Sequence, residues 1–381
     1  MKIVLDATSI RDRPSGIGIY IQNLLTGMLE ILREDDQIGF DLRILHKNKI
    51  LWKFLNNQFL ENQVKASHLL RFQGFYYPFP SEVSLQILRR SQWIKFLFEN
   101  FLGKPDIFHG LDYLNYPLKH SYNILTLHDL SFIRYPQYAA DRVLKLYQKR
   151  LEICFQWTDL IIAVSESTKQ DIVNFFGINP EKIWVTPLAS RYTPIPIIPL
   201  NFPFPYLLFV STLEPRKNIN TLVQAFEILK QKYKIPHHLI LIGKKGWKYT
   251  AILETIESSP VQNCIHQLDY LDDRQLVQFY QQATAFLYPS YYEGFGLPVL
   301  EAMTLGIPVI TSNQSSLPEV TGDAALLVHP EDVDSLVSAT RSVIDNPDLH
   351  RHLSQAGRER SLLFSWKKTA LQTLAAYKSL L

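Results

Sequence analysis

Two glutamates flank a glycine-rich segment in the second half of the chain. The segment, YEGFGLPVLEA from Tyr292 to Ala302, has Glu293 before the glycines and Glu301 eight residues further on. Apolar runs at Ala285 to Tyr288 and Pro308 to Thr311 border it, which predicts the order strand, glycine loop, helix, strand. Carboxylates accept hydrogen bonds from hydroxyl groups, so the pair is suited to a polyhydroxylated ligand.

The start of the predicted helix is suited to an anion. Gly294 and Gly296 allow the backbone to approach a ligand closely, and Pro298 fits the first helical turn, where its missing N–H is no loss. The free amides and the dipole of a helix N-terminus attract negative charge. The segment could therefore hold hydroxyl groups and a phosphate together.

Two cations stand before another predicted helix. Arg216 and Lys217 lie in the loop that follows the strand predicted for Tyr206 to Ser211. A charge-assisted hydrogen bond contributes roughly 1.5–3 kcal/mol, so the pair is suited to a diphosphate, although an isolated Arg-Lys dipeptide is more often a solvated surface pair. Gly243 opens a further loop towards the same edge, but GKKGWK lacks the spacing of a phosphate-binding P-loop.

The first half of the chain has two further candidate loops. His128 and Asp129 end an apolar run, the position at which ligands of open α/β sheets bind, although a lone histidine there is more often structural. Gly16 and Gly18 precede a helix predicted from about Ile19 to Leu32, where amides would face a phosphate or an acceptor hydroxyl. An ordinary flexible loop explains these glycines equally well. A nicotinamide cofactor is disfavoured, because GIGIYI lacks the third glycine of G-x-G-x-x-G.

These motifs resemble family 4 of the retaining glycosyltransferases, whose signature is a pair of glutamates separated by seven residues. The resemblance extends in the expected order through PSGIGIY, LHDLS, VSEST, STLEPRKN, SSLPEV and GDAALLV, at residues 14–20, 127–131, 164–168, 211–218, 315–320 and 322–328. It implies an α/β protein with the GT-B fold, in which two Rossmann-like β/α/β domains face each other across a cleft and bind a nucleotide sugar.

The resemblance also implies a role for each matching residue. Glu301 would bind the nucleotide ribose, Glu293 and the neighbouring amides would hold the sugar hydroxyls, and His128 would contact the sugar from the other domain. The predicted catalytic set is His128, Arg216, Lys217 and Glu293, and the predicted nucleotide-sugar-binding set is Gly16, Gly18, Asp129, Gly243, Gly294, Phe295, Gly296, Leu297 and Glu301. The cationic pair would stabilise charge on the departing diphosphate.

The expected reaction is transfer of a hexose with retention of the anomeric configuration. No carboxylate can be assigned as a covalent nucleophile, which favours front-face transfer, in which the leaving phosphate takes the acceptor's proton. A UDP-hexose such as UDP-glucose is slightly favoured as the donor, and GDP-mannose is compatible. No metal cofactor is expected, because Asp332 and Asp334 imitate a D-x-D motif but are better explained as helix caps. His109 is interpreted as structural.

Length and composition favour two domains. A chain of 381 residues exceeds what one core usually supports, and its 46% apolar and 20% charged residues are typical of a folded protein. The predicted domains are 1–190 and 206–364, joined by a proline-rich linker at 191–205, with a helix at about 365–381 packing back on the first. Two distant cysteines and the lack of a signal-peptide pattern predict a cytoplasmic protein.

Residues 43–104, the basic aromatic region, have an unusual composition. They contain ten lysines and arginines, three acids and twelve aromatic residues. The segment Val83 to Lys104 combines apolar anchors with cations, as interfacial helices on anionic lipid do, so it is compatible with peripheral contact at the inner membrane face and with a lipid-linked or glycan acceptor. A packed helical excursion with a solvated basic face is the alternative. Nucleic acid is disfavoured, because the net charge is only +3 and no binding motif is present.

Two other functions are compatible with these motifs. A GT-B epimerase would keep the diphosphate site but release an altered sugar nucleotide without an acceptor. A non-catalytic nucleotide-sugar-binding protein would hold the donor without turning it over. The intact Glu, Arg-Lys and His-Asp sets favour the transferase over both, since fold alone does not decide function.

Overall fold

Short apolar runs alternate with helices along the chain, and the runs form parallel strands. The computed structural model describes residues 1–10, 16–34, 41–46, 71–76, 81–139 and 141–381. Strands such as Tyr206–Val210 and Ala285–Tyr288 are buried at every position, because helices cover a parallel sheet on both faces.

The described elements alternate in the order expected of a doubly wound protein. The first half has β1 (Lys2–Asp6), α1 (Gly16–Glu34), β2 (Asp41–His46), β3 (Arg71–Tyr76), α2 (Ser81–Arg90), α3 (Gln92–Phe101), β4 (Ile107–Gly110), β5 (Tyr122–Leu127), α4 (Ser131–Arg134), α5 (Asp141–Cys154), β6 (Leu160–Ala163), α6 (Glu166–Phe176) and β7 (Ile183–Val185). The second half has β8 (Tyr206–Val210), α7 (Ile219–Gln231), β9 (His238–Ile242), α8 (Tyr249–Glu257), β10 (Ile265–Leu268), α9 (Asp273–Gln281), β11 (Ala285–Tyr288), α10 (Leu297–Leu305), β12 (Val309–Ser312), α11 (Leu317–Thr321), β13 (Leu326–Val328), α12 (Val333–Asp345), α13 (Pro347–Ser361) and α14 (Trp366–Lys378).

The chain divides into two compact units. The first comprises Met1–Leu130, Arg142–Leu188 and Trp366–Leu381, and the second comprises Ser131–Asp141 and Ala189–Ser365. The last helix therefore belongs with the first unit. Ser131–Asp141, which lies within the first predicted domain, groups with the second unit.

Each unit is built on one parallel sheet with the strand order of a Rossmann fold. In the described residues the first sheet runs β3-β2-β1-β4-β5-β6-β7 and the second runs β10-β9-β8-β11-β12-β13. Successive strands are added towards one edge of the sheet and then towards the other, and this reversal lies between β1 and β4 in the first sheet and between β8 and β11 in the second. Ligands of such sheets bind beyond the carboxyl ends of the strands at this reversal. The predicted pair of Rossmann-like layers is confirmed.

A buried histidine ties the last helix to the first sheet. His109, in β4, shares hydrogen bonds with Tyr377 of α14 through Nδ1 at 2.6 Å and with Thr126 of β5 through Nε2 at 2.7 Å. Burial lowers the pKa of His109 to about 3, so the ring stays neutral. On α1, a Cβ at Gly27 would stand 2.5 Å from the carbonyl oxygen of Trp366, so this glycine permits the close packing of α14. These contacts support the structural interpretation of His109.

Candidate active site

The predicted cationic pair lies at the reversal point of the second sheet. Arg216 and Lys217 belong to a 3₁₀ turn, Pro215–Lys217, which follows β8 and precedes α7. Asn218, the next residue, has φ of 58° and donates through Nδ2 to the carbonyl oxygens of Pro289 and Pro330, at 3.0 and 2.6 Å. This left-handed residue ends the turn and fixes the loop against the end of β11.

Lys217 is buried against Glu293. Its Nζ donates to Glu293 Oε1 at 2.6 Å and to the Tyr288 hydroxyl at 3.0 Å. Ser290 donates to the same carboxylate oxygen at 2.7 Å. Burial alone would raise the pKa of Glu293, but Lys217 and then Arg216 outweigh it and lower the pKa to about 2. Glu293 is therefore an anion at neutral pH.

Arg216 lies in the same cluster and is held by two acids. Its NH2 and Nε contact Glu214 Oε1 at 2.9 and 3.2 Å, and its NH1 lies 3.4 Å from Glu293 Oε2. NH1 also donates to the carbonyl oxygen of Tyr292 at 2.7 Å. The four charged side chains, Glu214, Arg216, Lys217 and Glu293, thus balance one another in a largely buried site. The sequence predicts the cations and Glu293 in one site, and the structure adds that they are paired with each other.

The glycine loop is fixed by the segment SSLPEV. The backbone N–H of Glu293 donates to Ser315 Oγ at 2.9 Å, and Ser316 Oγ donates to the carbonyl oxygen of Glu293 at 2.9 Å. Gly296 has φ of 102°, and a Cβ there would stand 2.7 Å from the side chain of Leu317. The left-handed conformation favours glycine here, and a Cβ would also displace the Leu317 side chain. Leu297 starts α10, as the sequence predicted to within a residue.

Three further predicted site residues, Gly294, Phe295 and Gly243, lie in tightly packed loops of the second unit. Gly294 and Phe295 are buried, and the Phe295 ring packs edge-on against Phe364 with centroids 5.9 Å apart. Gly243 has φ of 151°, and a Cβ there would stand 1.9 Å from the carbonyl oxygen of Ser211 at the end of β8. Gly243 therefore allows the loops after β8 and β9 to approach each other.

Glu301 occupies a second charged site on α10. It is buried, and its Oε1 lies 3.4 Å from Nε of Arg191, in the segment before β8. The Tyr280 hydroxyl donates to Oε2 at 3.4 Å. Burial raises the pKa of Glu301 to about 7, with Arg191 acting in the opposite direction. Both glutamates of the signature are thus buried next to a cation.

The first unit holds the remaining predicted residues. His128 follows β5, donates through Nε2 to the carbonyl oxygen of Leu111 at 2.8 Å, and packs edge-on against Tyr20. Burial lowers its pKa, so a neutral ring is favoured. The N–H of Asp129 donates to the Tyr113 hydroxyl at 2.8 Å. Their contact with a donor sugar stays a prediction.

Gly16 and Gly18 were predicted in the loop before the first helix, but the structure places them in the helix itself. Gly16 and Gly18 lie inside the first turn of α1 rather than before it, since the helix begins at Gly16. A Cβ at Gly16 would meet no atom within 4 Å. Residues 11–15, which include Pro14 of the PSGIGIY motif, lie outside the described residues.

Asp332 and Asp334 resemble a D-x-D metal motif, and the predicted helix-capping role is confirmed for Asp332. Asp332 is the N-cap of α12, and its Oδ1 accepts from the Ser335 N–H at 2.9 Å. Across the part of the chain that the structure describes, no group of three or more His, Cys, Asp or Glu residues is arranged to hold a metal ion. The absence of a metal requirement stays a prediction.

Sequence reasoning missed several members of these clusters. Glu214, Tyr288 and Ser290 contact the cationic pair or Glu293, and Arg191 contacts Glu301. Glu214 and Ser290 lie within three residues of predicted site residues, so proximity could have found them. Arg191 lies in the proline-rich linker, which carried no chemical signal.

Comparison with known proteins decides between a transferase, an epimerase and a non-catalytic nucleotide-sugar-binding protein. Residues 46–189 match the model of Glycosyltransferase Family 4, and residues 197–360 match that of Glycosyl transferases group 1. The chain is 31% identical to the O-antigen chain mannosyltransferase B of Escherichia coli, and the match covers all of both chains. The chain belongs to glycosyltransferase family 4. It is a hexosyltransferase.

Solved structures confirm the GT-B fold. A sucrose-phosphate synthase from Thermosynechococcus elongatus superposes with a TM-score of 0.72 at 21% identity, covering 100% of this chain and 98% of the other. Anabaena HepE in complex with UDP-glucose gives a TM-score of 0.71 at 15% identity and covers all of both chains. At such identities the likeness concerns the fold alone.

Proposed function

We propose that this hexosyltransferase moves mannose from GDP-mannose, with retention of configuration, to a growing lipid-linked cell-surface polysaccharide. The observation that carries the proposal is the buried cluster of Arg216, Lys217 and Glu293 at the reversal point of the second sheet. It combines two cations for a diphosphate with an acid for hydroxyls. The full-length relative named as an O-antigen chain mannosyltransferase supports the choice of sugar over the UDP-hexose that the sequence slightly favoured.

In the proposed mechanism the donor diphosphate lies against the cationic pair and the start of α10. Arg216 and Lys217 stabilise the negative charge that grows on the leaving phosphate, and the amides of Gly296 and Leu297 at the helix start contribute in the same sense. Glu293 accepts from sugar hydroxyls with its carboxylate. The leaving phosphate takes the proton of the attacking acceptor hydroxyl, so retention requires no covalent intermediate with the protein.

The donor is tested with a panel of nucleotide sugars. We expect GDP-mannose to be consumed at least tenfold faster than UDP-glucose or UDP-galactose, with GDP as the product, and the new anomeric centre to keep the donor's configuration by NMR. Exclusive consumption of a UDP-hexose would overturn the choice of donor. An altered sugar nucleotide formed without acceptor would support an epimerase, and an inverted product would overturn the front-face mechanism.

The described part of the basic aromatic region supports a membrane-bound acceptor. On α3, Trp93, Phe96, Leu97 and Phe101 share one helical face and are exposed, Trp93 at 69% and Phe96 at 50%. Residues 47–70 and 77–80 of the region lie outside the described residues. None of the helices in the described ranges is long and apolar enough to cross a bilayer. The exposed face of α3 is thus suited to lie on a membrane surface.

The charges around α3 favour an anionic surface. Arg89 and Arg90 end α2 and are exposed, and Lys104 lies with its Nζ 5.9 Å from the centroid of the Phe96 ring. Glu99 is buried and accepts hydrogen bonds from the N–H groups of Lys119 and His120, so its charge is turned away from this face. A cation near an anionic membrane contributes about 1 kcal/mol, which complements the burial of the aromatic rings.

Vesicle binding tests this part of the proposal. The double variant Trp93→Ala/Phe96→Ala is expected to bind vesicles of phosphatidylcholine and phosphatidylglycerol at least tenfold more weakly than the wild type, because each buried ring contributes about 2 kcal/mol. The matched control, Leu146→Ala/Phe175→Ala, removes two other exposed apolar side chains of the first unit. Equal loss in both variants, or binding that does not depend on phosphatidylglycerol, would contradict the proposal.

A further inference from the structure

The linker before β8 is hydrogen-bonded to α9 by a series of glutamines. Gln281 accepts from the Ile195 N–H at 3.2 Å and donates to its carbonyl oxygen at 3.0 Å. Gln278 accepts from the Ile198 N–H at 2.9 Å and donates to the Pro196 carbonyl oxygen at 2.8 Å. Gln282 continues the pattern, accepting from the N–H of Leu200 at 3.2 Å and donating to the carbonyl oxygen of Ile198 at 3.0 Å.

These six hydrogen bonds hold residues 195–200 along the helix, and residues 191–200 together are called the strap. Prolines at 194, 196 and 199 have no N–H, and three of the remaining N–H groups are those bonded by the glutamines. A proline-rich segment that could act as a free spacer is therefore fixed against α9.

The strap begins with two side chains bound to the start of α9. Arg191 contacts Asp273 through NH2 at 3.0 Å and through NH1 at 3.3 Å, and the Tyr192 hydroxyl donates to Asp273 Oδ1 at 3.1 Å. The Arg191 guanidinium also stacks over the Tyr192 ring, 4.7 Å from its centroid. Asp273 thus holds two of the three planar nitrogens of Arg191 and leaves Nε for another acceptor.

The remaining nitrogen of Arg191 lies beside the signature acid. Nε is buried, has no hydrogen-bond partner among the described residues, and lies 3.4 Å from Glu301 Oε1. We propose that Arg191 is a positioning residue of the donor site, which keeps Glu301 ionised and oriented for the two ribose hydroxyls of the nucleotide. This inference rests on the proposed function, because the ribose is that of the donor.

The chemistry requires an ionised acid. A carboxylate accepts hydrogen bonds at both oxygens, whereas a neutral carboxylic acid has to donate with one of them. Burial raises the pKa of Glu301 to about 7, Asp273 adds to the rise, and Arg191 opposes it. The hydroxyls of Tyr192 and Tyr280 also face this acid and remain neutral at these pH values. Loss of Arg191 would therefore raise the pKa of Glu301 further.

The test is the pH dependence of nucleotide binding. Calorimetry with GDP, and with UDP in parallel, is carried out on the full chain from pH 6 to pH 9. Wild-type affinity is expected to rise as the pH increases through about 7 and then level off. For Arg191→Met the affinity should be at least tenfold weaker below pH 7, and the deficit should shrink as the pH rises. Arg191→Lys should restore most of the binding at neutral pH.

The double variant separates positioning from a general loss of structure. Glu301→Gln should bind weakly with no dependence on pH in this range, and Arg191→Met/Glu301→Gln should bind no more weakly than Glu301→Gln alone. A pH-independent deficit for Arg191→Met, with wild-type melting temperature, would overturn the role of Arg191 while leaving the proposed function intact. Failure of the wild type to bind either nucleotide would overturn both.

Discussion

Replacement of Arg216 by alanine is expected to lower kcat by roughly 10²–10³-fold, by analogy with the loss of one preorganised donor to a developing anion. The guanidinium is two-point bonded to Glu214 and fixed to the Tyr292 carbonyl oxygen, so its charge is in place before the donor arrives. Such a charge costs no reorganisation as the diphosphate departs. The measurement is single-turnover transfer at saturating donor.

A matched control distinguishes catalysis from damage to the fold. Arg341→Ala removes an arginine of the same unit that pairs with Asp345 on the surface of α12, and it should leave turnover unchanged. Calorimetry should show that Arg216→Ala still binds GDP, because the loss is larger in the transition state than in the ground state. Near-normal turnover of Arg216→Ala at saturating donor would remove this residue from the mechanism.

Replacement of Glu293 by alanine is expected to destabilise the second unit by about 3–5 kcal/mol, because it leaves the buried charge of Lys217 without its partner. Urea unfolding, followed by hydrogen exchange of peptides from β11, reports on this unit separately. The control is Glu254→Ala on α8, whose exposed side chain should contribute within about 0.5 kcal/mol. A combined Lys217→Met/Glu293→Gln variant should recover part of the stability and no activity.

The same ion pair predicts a dependence on pH. The pKa of Glu293 is lowered from its ordinary value of 4.5 to about 2 in the folded protein. Its contribution to the free energy of unfolding is therefore fully present above pH 4.5 and is lost as the pH falls towards 2. Glu293→Gln should lose less stability than the wild type over this range. Identical acid profiles of the two proteins would contradict an ionised, paired Glu293.

The parts of the site that depend on the order of neighbouring residues along the chain could be predicted from the sequence. Apolar runs followed by Arg216 and by Glu293 placed both residues at strand ends, and adjacent parallel strands bring such ends together. The positions of Gly296 and Leu297 at a helix start followed from glycine and proline chemistry. These predictions needed only the spacing of residues along the chain.

The side-chain partners could not be predicted, because they depend on long-range packing. Glu293 contacts Lys217 across 76 positions and Arg191 contacts Glu301 across more than a hundred, and no local pattern encodes such pairs. Residues 191–205 were predicted from their prolines as a linker between domains, and nothing in the sequence indicated that the backbone is bonded to glutamines eighty or more positions away. The start of α1 was placed three residues late, because glycines are poor helix formers and Gly16 and Gly18 were therefore expected in the loop before the helix.

A crystal structure with bound GDP tests the central claim most directly. We expect the β-phosphate within hydrogen-bonding distance of Arg216 and Lys217, facing the first amides of α10, and the ribose hydroxyls on Glu301. A nucleotide bound elsewhere on the second unit would contradict the account. So would a nucleotide whose phosphates all lie out of contact with Arg216 and Lys217.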